Sequence, residues 1–215
     1  MDIIISEWMG YCLLFECMLP SVLVVRDKFC KKGLVFPDRA KMFISAWSDA
    51  QVRHDRVDYW SEVYGFKMNP MKEGVLREPK IDVLPDAAVA TSTFMLKDFD
   101  CNTVKIEELD YTTDFKLVVD QERSTIDGFV VHFDIDFLKD CTSPVTFSTG
   151  PKVQDTHWMQ TIFFSKASVA VAGGDVIEGK FSCKRGSIYH RDLELEVAYR
   201  VVGKTETEVL KFVLN

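Results

Sequence analysis

The stretch FVVHFDIDF, residues 129–137, decides the fold, because apolar residues alternate there with His132, Asp134 and Asp136. Successive side chains of a β-strand point to opposite faces, so this period of two predicts a strand with one buried face and one polar face. Residues 193–201, LELEVAYRV, repeat the pattern. Such strands are typical of antiparallel sheets with one face on a core and the other in solvent.

Shorter strand candidates, separated by turn residues, occupy much of the remaining chain. They lie at residues 41–47, 103–106, 115–119, 160–164, 169–171, 176–182 and 209–214. The chain has 215 residues, of which 47% are hydrophobic, so it can fill a core of its own. Residues 36–215 are therefore predicted to form a mostly β domain, an antiparallel barrel or sandwich.

One segment, residues 49–79, interrupts the strands with helical spacing and a dense set of aromatic residues that ends at Phe66. The residues at helical spacing are Val52, Val57, Trp60, Val63 and Tyr64. Aromatic residues on such an insertion can cap the barrel of their own chain, which the chemistry alone favours, or anchor a partner chain.

The chain begins with a short apolar run, residues 2–6 (DIIIS), which predicts a strand buried on both faces of a parallel sheet. Residues 11–29 have the spacing of a helix, with Pro20 predicting a kink or break near its middle. A strand that leads into a helix is half of an α/β unit, and no second unit follows. Residues 1–35 are thus expected to be a remnant of a Rossmann-like domain, with Met1 starting inside that domain.

Charge and composition narrow the classes of partner. A formal net charge of −7 argues against broad affinity for nucleic acid or anionic membranes and fits cationic partners better. The six cysteines include no C-x-x-C pair, so neither a metal site nor a disulfide framework is predicted. Without a basic leader or an apolar run of about 20 residues, the chain is expected to be cytoplasmic, nuclear or both.

Two acids, Glu7 and Glu16, lie on either limb of the predicted strand-loop-helix connection, where α/β sheets place ligands. Carboxylates on two limbs can converge on one pocket, and a planar guanidinium with several N–H donors would satisfy both. Two acids at this spacing are more commonly solvated surface residues. Spacing alone therefore leaves both interpretations open.

The whole string of residues 2–19, DIIISEWMGYCLLFECML, resembles the double-glutamate hairpin of the protein arginine methyltransferases. The resemblance continues through residues 33–39, 59–60, 63–66, 77–79, 147–151 and 156–160. The chain resembles the C-terminal part of a type I member, beginning at the last part of the domain that binds S-adenosylmethionine. The implied fold is an antiparallel β-barrel that carries a helical dimerisation arm.

The resemblance also implies roles for single residues. Glu7 and Glu16 would clamp the substrate guanidinium as catalytic residues, and Met18 would be the bulky gate linked to asymmetric dimethylation. Tyr11 and Trp158 would line the arginine slot, and His157 would lie over the pocket. The residues of the dimerisation arm would be Tyr59, Trp60, Tyr64 and Phe66. Two departures from the family pattern, Pro20 and Cys17, lie close to the gate.

The methyl-donor site does not appear in the sequence. No G-x-G-x-x-G follows a strand, and Gly173-Gly174 lies between predicted strands as a turn. The family cofactor is S-adenosylmethionine, but this chain is not expected to retain its binding site, and the chain alone is predicted to be inactive.

Two hypotheses follow. The chain is the substrate side of a methyltransferase acting on Gly/Arg-rich segments or histone tails, or it is a non-catalytic module that pairs with a full-length relative as a homo- or heterodimer. A third, an unrelated ligand-binding β-barrel, leaves the glutamate hairpin unexplained.

Overall fold

Twelve β-strands dominate the computed structural model, which describes residues 1–215. They are β1 Ile3–Ile5, β2 Leu34–Phe36, β3 Arg39–Trp47, β4 Lys80–Asp82, β5 Phe94–Asp100, β6 Tyr111–Val118, β7 Thr125–Phe137, β8 Val145–Ser148, β9 Gln160–Ala170, β10 Val176–Arg185, β11 Leu193–Val201 and β12 Glu208–Leu214. The α-helices are α1 Leu19–Phe29, α2 Ala50–Arg56 and α3 Asn69–Val75, and 3-10 helices occupy Phe15–Cys17, Asp58–Ser61, Asp86–Ala88 and Ile106–Leu109. None of the helices has the length and apolar character needed to span a membrane.

The strands from β3 onward pair in two antiparallel sheets. One has six strands in the order β4-β9-β7-β3-β5, with β8 beside β7, and the other has four in the order β12-β11-β10-β6. The mostly β, antiparallel class is as predicted, but these hydrogen-bonded sheets do not close into the expected barrel. The edge strands β5 and β6 do not pair, and neither do β4 and β12. Between β5 and β6, the strand predicted at residues 103–106 is a turn followed by the 3-10 helix Ile106–Leu109. An isolated bridge between Thr91 and Val119 links the segments beside the two edges.

The two sheets share one hydrophobic core. The alternation at residues 129–137 places Phe129, Val131, Phe133 and Ile135 in that core with exposures of 2% or less. Strand β7 pairs on both sides, with β3 and β9, so this sequence forms the centre of its sheet. Burial of the large apolar side chains on its inner face is the dominant stabilising term for such a layer.

The N-terminal strand differs from its predicted environment. β1 pairs in parallel with β2 in a two-stranded sheet. Ile3 and Ile5 are 53% and 80% exposed, and Ile4 packs against the main core. The prediction of a strand buried on both faces is therefore wrong, because only the face that carries Ile4 packs against the core.

The first helix begins later than predicted. Residues 11–18 form turns and a 3-10 helix, with left-handed backbone at Cys12, Leu13, Glu16 and Cys17. The α-helix starts at Leu19, and Pro20 lies in its first turn. Proline lacks an N–H that the first turn does not use, so Pro20 begins the helix instead of kinking it.

The insertion at residues 49–79 is anchored at its base and exposed at its tip. The Asp49 side chain accepts hydrogen bonds from the amides of Gln51 and Val52 and caps α2. The buried Arg53 donates to the carbonyl oxygens of Ser165 (3.1 Å) and Lys166 (3.0 Å) in β9. We call the whole insertion, residues 49–79, the arm. These bonds fix the start of the arm to the six-stranded sheet.

Candidate functional site

The segment after β1, residues 6–18, turns back on itself, and we call it the glutamate hairpin. The amide of Ser6 donates to the Phe36 carbonyl oxygen (3.0 Å), which extends the pairing of β1 with β2. The amide of Gly10 then donates to the Leu13 carbonyl oxygen (2.9 Å). A Cβ at Gly10 would overlap the backbone of Phe15, so glycine allows the two limbs to touch.

Glu7 lies on the first limb, at the carboxyl end of β1. The next two residues, Trp8 and Met9, are 1% and 5% exposed and anchor the backbone in the main core. The Glu7 side chain itself is exposed, and its carboxylate has no hydrogen bond or ion pair within the chain. The hairpin therefore presents one unpaired carboxylate from a rigid base.

Glu16 lies on the second limb, where the backbone is in the left-handed region with φ of 70°. Its amide donates to the Arg191 carbonyl oxygen (2.9 Å) in the β10–β11 connection. Its Oε1 accepts a hydrogen bond from Nη2 of Arg191 at 2.6 Å. A conformation that is strained for a glutamate is thus held by contacts to a distant part of the chain.

Two predicted slot residues contact the hairpin or lie in it. The indole Nε1 of Trp158 donates to the Met9 carbonyl oxygen (2.9 Å), and its ring stacks on Phe147 with centroids 5.5 Å apart. Tyr11 is exposed at the turn and stacks on Phe15, with ring centroids 6.2 Å apart. The structure thus brings the loop near residue 158 onto the segment that carries the two glutamates.

His157 and Met18 flank these groups. The imidazole of His157 lies against the Trp158 indole, with centroids 3.8 Å apart. Met18 precedes α1, is partly buried and packs against the main core. Met18 is thus the last residue of the hairpin, and His157 is linked to the hairpin through Trp158.

The thiols of the hairpin are not reactive nucleophiles. Burial raises the pKa of Cys12 to about 12 and also raises the pKa of Cys17, so both remain protonated at neutral pH. No group of three or more histidine, cysteine, aspartate or glutamate side chains is placed to hold a metal ion. The chemical groups that the site presents are therefore carboxylates, an imidazole and aromatic faces.

The arm aromatics form a separate surface. Tyr64 and Phe66 are 92% and 71% exposed, and Tyr59 is also exposed. Tyr59 and the partly exposed Trp60 pack edge to face, with centroids 5.4 Å apart. The expectation that these aromatics cap the β domain is wrong for the tip, because Tyr64 and Phe66 point away from it into solvent. The aliphatic Val57, by contrast, is fully buried in a second core cluster with Trp47.

Sequence reasoning missed Arg191, which contacts Glu16 across 175 positions. It lies in the exposed connection between β10 and β11, where a single arginine carries no local signal. Only the packing of the β10–β11 connection against the hairpin identifies it.

Comparisons with known proteins agree with this arrangement. Residues 38–204 match the family model described as the arginine methyltransferase oligomerization subdomain. The chain is 42% identical over 204 residues to protein arginine N-methyltransferase 1 of Caenorhabditis elegans, covering 94% of this chain and 58% of that protein. It is 40% identical over 199 residues to protein arginine N-methyltransferase 1 of Schizosaccharomyces pombe, covering 92% of this chain and 58% of that protein. The chain thus spans less than two thirds of the length of these relatives.

Solved structures show the same similarity. A chain of the Trypanosoma brucei PRMT1 enzyme-prozyme heterotetrameric complex with AdoHcy matches with a TM-score of 0.93 and 31% identity, covering 100% of this chain and 68% of that one. Arabidopsis thaliana protein arginine methyltransferase 10 matches with a TM-score of 0.85 and 25% identity, covering 100% of this chain and 70% of that one.

Proposed function

This chain belongs to the protein arginine methyltransferase family, and from that premise we propose that it forms the arginine-binding and oligomerising part of such an enzyme. The observation that carries the proposal is the glutamate hairpin, which presents Glu7 and Glu16 from two limbs fixed to the β core. The acceptor is proposed to be an arginine in a Gly/Arg-rich segment or a histone tail, because such segments are cationic and this chain carries a net charge of −7.

The proposed chemistry uses the two carboxylates as a clamp. A guanidinium is planar and presents five N–H donors, so it can donate to Glu7 and Glu16 together. Carboxylates on one side would draw the positive charge toward themselves and leave a terminal nitrogen more electron-rich. Orientation and electrostatic stabilisation then supply the rate enhancement. Trp158, tied to Met9, would hold one wall of the slot in place.

The family uses S-adenosylmethionine, which supplies an electrophilic methyl group when bound. The residues of this chain do not fit that cofactor. β1 and β2 form a two-stranded sheet, and Gly173-Gly174 lies between β9 and β10, not at a strand-to-helix turn. We therefore derive no step through the cofactor and propose that the 215-residue chain alone does not transfer methyl groups. Calorimetric titration with S-adenosylmethionine should show no saturable heat, and saturable binding would contradict this proposal.

The binding half of the proposal is testable on the chain itself. Calorimetric titration with a Gly-Gly-Arg-Gly-Gly peptide should show binding that Glu7→Gln and Glu16→Gln each weaken about tenfold or more, because hydrogen bonds to charged groups are worth ~1.5–3 kcal/mol. Glu206→Gln is the matched control, since Glu206 is exposed in the β11–β12 connection, at the opposite end of β11 from Arg191. Affinity that survives both hairpin substitutions contradicts the function.

Met18 supports the finer proposal of type I chemistry, which yields asymmetric dimethylarginine. The residue packs against the main core two positions after Glu16, so its bulk is held in the same hairpin as that carboxylate. The test is mass spectrometry of arginine products from a longer protein that combines this chain with the donor-binding part of a relative. Symmetric dimethylarginine as the main product would refute the type I assignment.

The alternative function is a non-catalytic module that pairs with a full-length relative. It is favoured by the exposed arm tip, because large exposed apolar side chains on one projection mark contact sites. Light scattering coupled to size exclusion should show dimers whose dissociation constant rises about tenfold or more in Tyr64→Ala. Tyr189→Ala is the control, since Tyr189 is 69% exposed on another loop. A chain that stays monomeric at high concentration would count against this alternative.

A further inference from the structure

The β10–β11 connection, residues 186–192, brings an arginine of the chain onto the glutamate hairpin. Nη2 of Arg191 donates to Oε1 of Glu16 at 2.6 Å, and the Arg191 carbonyl oxygen accepts from the Glu16 amide at 2.9 Å. One of the two carboxylates assigned above to a substrate guanidinium is thus already in contact with a guanidinium of the same chain.

The backbone of this connection is fixed while the arginine side chain is not. The amide of Gly186 donates to the Asp192 carbonyl oxygen (2.8 Å), and the amide and hydroxyl of Ser187 donate to Oε1 of Glu194 (2.9 and 2.6 Å). By contrast, the Arg191 side chain is 73% exposed, and Glu16 is its only hydrogen-bond acceptor in the chain. The guanidinium can therefore leave Glu16 without disturbing the loop that carries it.

The two glutamates are also unequal. Glu7 has no partner, whereas Glu16, with a side chain 36% exposed, has one of its two oxygens engaged by Arg191. An ion pair exposed to this degree is weak, because water screens the charges and ordering two long side chains opposes it. A ligand that offers a guanidinium to both glutamates can displace such a partner, since its second contact, at Glu7, has no internal competitor.

We propose that Arg191 occupies the Glu16 half of the arginine site in the substrate-free chain and that the substrate arginine displaces it. The inference rests on the proposed function and adds a regulating residue to the same site. Arg191 thereby lowers the affinity for arginine ligands, and selects for those that engage Glu7 as well as Glu16.

The test compares Arg191→Gln with wild type in titrations with a Gly-Gly-Arg-Gly-Gly peptide at low ionic strength. Removal of the internal competitor should tighten binding about 1.5- to 5-fold, the range that exposed ion pairs support. Lys180→Gln removes one positive charge from the exposed middle of β10, where Lys180 lies beside Asp114 and not beside the hairpin, and should leave affinity unchanged. This control separates displacement of a bound guanidinium from a general change in attraction for a cationic peptide.

A second readout follows the arginine directly. In nitrogen-15 spectra of wild type, the Arg191 Nε–H signal should move on peptide saturation toward its position in the free Glu16→Gln variant. A signal that stays in place, or an Arg191→Gln affinity equal to or weaker than wild type while Glu16→Gln still weakens binding, overturns this inference and leaves the proposed function standing. Peptide binding that does not depend on Glu16, or that is absent in all variants at millimolar peptide, overturns the proposed function and this inference with it.

Discussion

Replacement of Gly10 by alanine should destabilise the chain by displacing the glutamate hairpin. The added Cβ would overlap the carbonyl oxygen and carbonyl carbon of Phe15, and both are backbone atoms that a rotamer change cannot move. The strain must therefore open the Gly10–Leu13 turn or shift Phe15 away from its stacking partner Tyr11. Overpacking of this kind costs ~1–3 kcal/mol.

For a chain of this size, each kcal/mol lowers Tm by about 2–4 °C, so Gly10→Ala should melt about 2–12 °C below wild type. Affinity for an arginine peptide should also fall, because Glu16 follows Phe15 and moves with it. Misplacement of a site group by about 1 Å is sufficient to impair function.

The assay is thermal unfolding followed by tryptophan fluorescence, with peptide titration in parallel. Gly74→Ala is the matched control, because no atom lies within 4 Å of the added Cβ in α3. Alanine is the better helix former by ~0.5–1 kcal/mol, so this variant should melt at or above the wild-type temperature. A Gly10→Ala protein with wild-type Tm and affinity would refute the close approach of the two limbs.

Three further perturbations address the parts that hold the site. Burial lowers the pKa of His132, and the nearby Asp134 opposes this shift. The neutral imidazole therefore stabilises the fold fully above the unfolded pKa near 6.5, and this stability is lost as the pH falls below that value. Urea unfolding from pH 5 to 8 should show the loss in wild type and not in His132→Phe, and the same dependence of unfolding free energy on pH in both proteins would contradict it. Trp158→Phe removes the donor to the Met9 carbonyl oxygen and should cost ~1–3 kcal/mol in urea unfolding, whereas unchanged stability would show that the bond contributes nothing. Arg53→Met leaves two carbonyl oxygens of β9 without their donor and should speed proteolysis within the arm; an unchanged cleavage rate would mean that other contacts anchor it.

The regular part of the fold follows from sequence where one side of a strand is buried. Residues 193–201 were predicted as a strand and form β11 with the same bounds, because alternation between apolar and polar residues fixes both the element and its buried face. The same logic places residues 129–137 within β7. β5 was missed, since its sequence FMLKDFD breaks the alternation with two adjacent polar residues.

Local rules failed where tertiary contacts decide the conformation. Residues 11–18 have apolar residues at helical spacing, yet they form a hairpin. Left-handed backbone at Cys12 and Leu13 and the hydrogen bond from Trp158 to the Met9 carbonyl oxygen stabilise that hairpin. The apolar residues of this segment pack against the core, and a hairpin can bury them as well as a helix can. Closure of the sheets was likewise overestimated, because strand counting does not reveal which edges pair.

The residues of the candidate site also divide into those that local sequence predicts and those that depend on tertiary contacts. Glu7, Glu16 and Met18 belong to one continuous segment and could be found from its pattern. Arg191 reaches Glu16 from another sheet and could not, since its effect depends on a contact across 175 positions.

The most direct test of the central claim, that the hairpin binds an arginine guanidinium, is calorimetric titration of the chain with two peptides that differ only in arginine or citrulline. Citrulline keeps the length and planarity of the side chain but is neutral and has lost a nitrogen donor. The arginine peptide should bind about tenfold tighter or more, because carboxylates reward a charged donor by ~1.5–3 kcal/mol. Equal affinity for the two peptides would contradict the account.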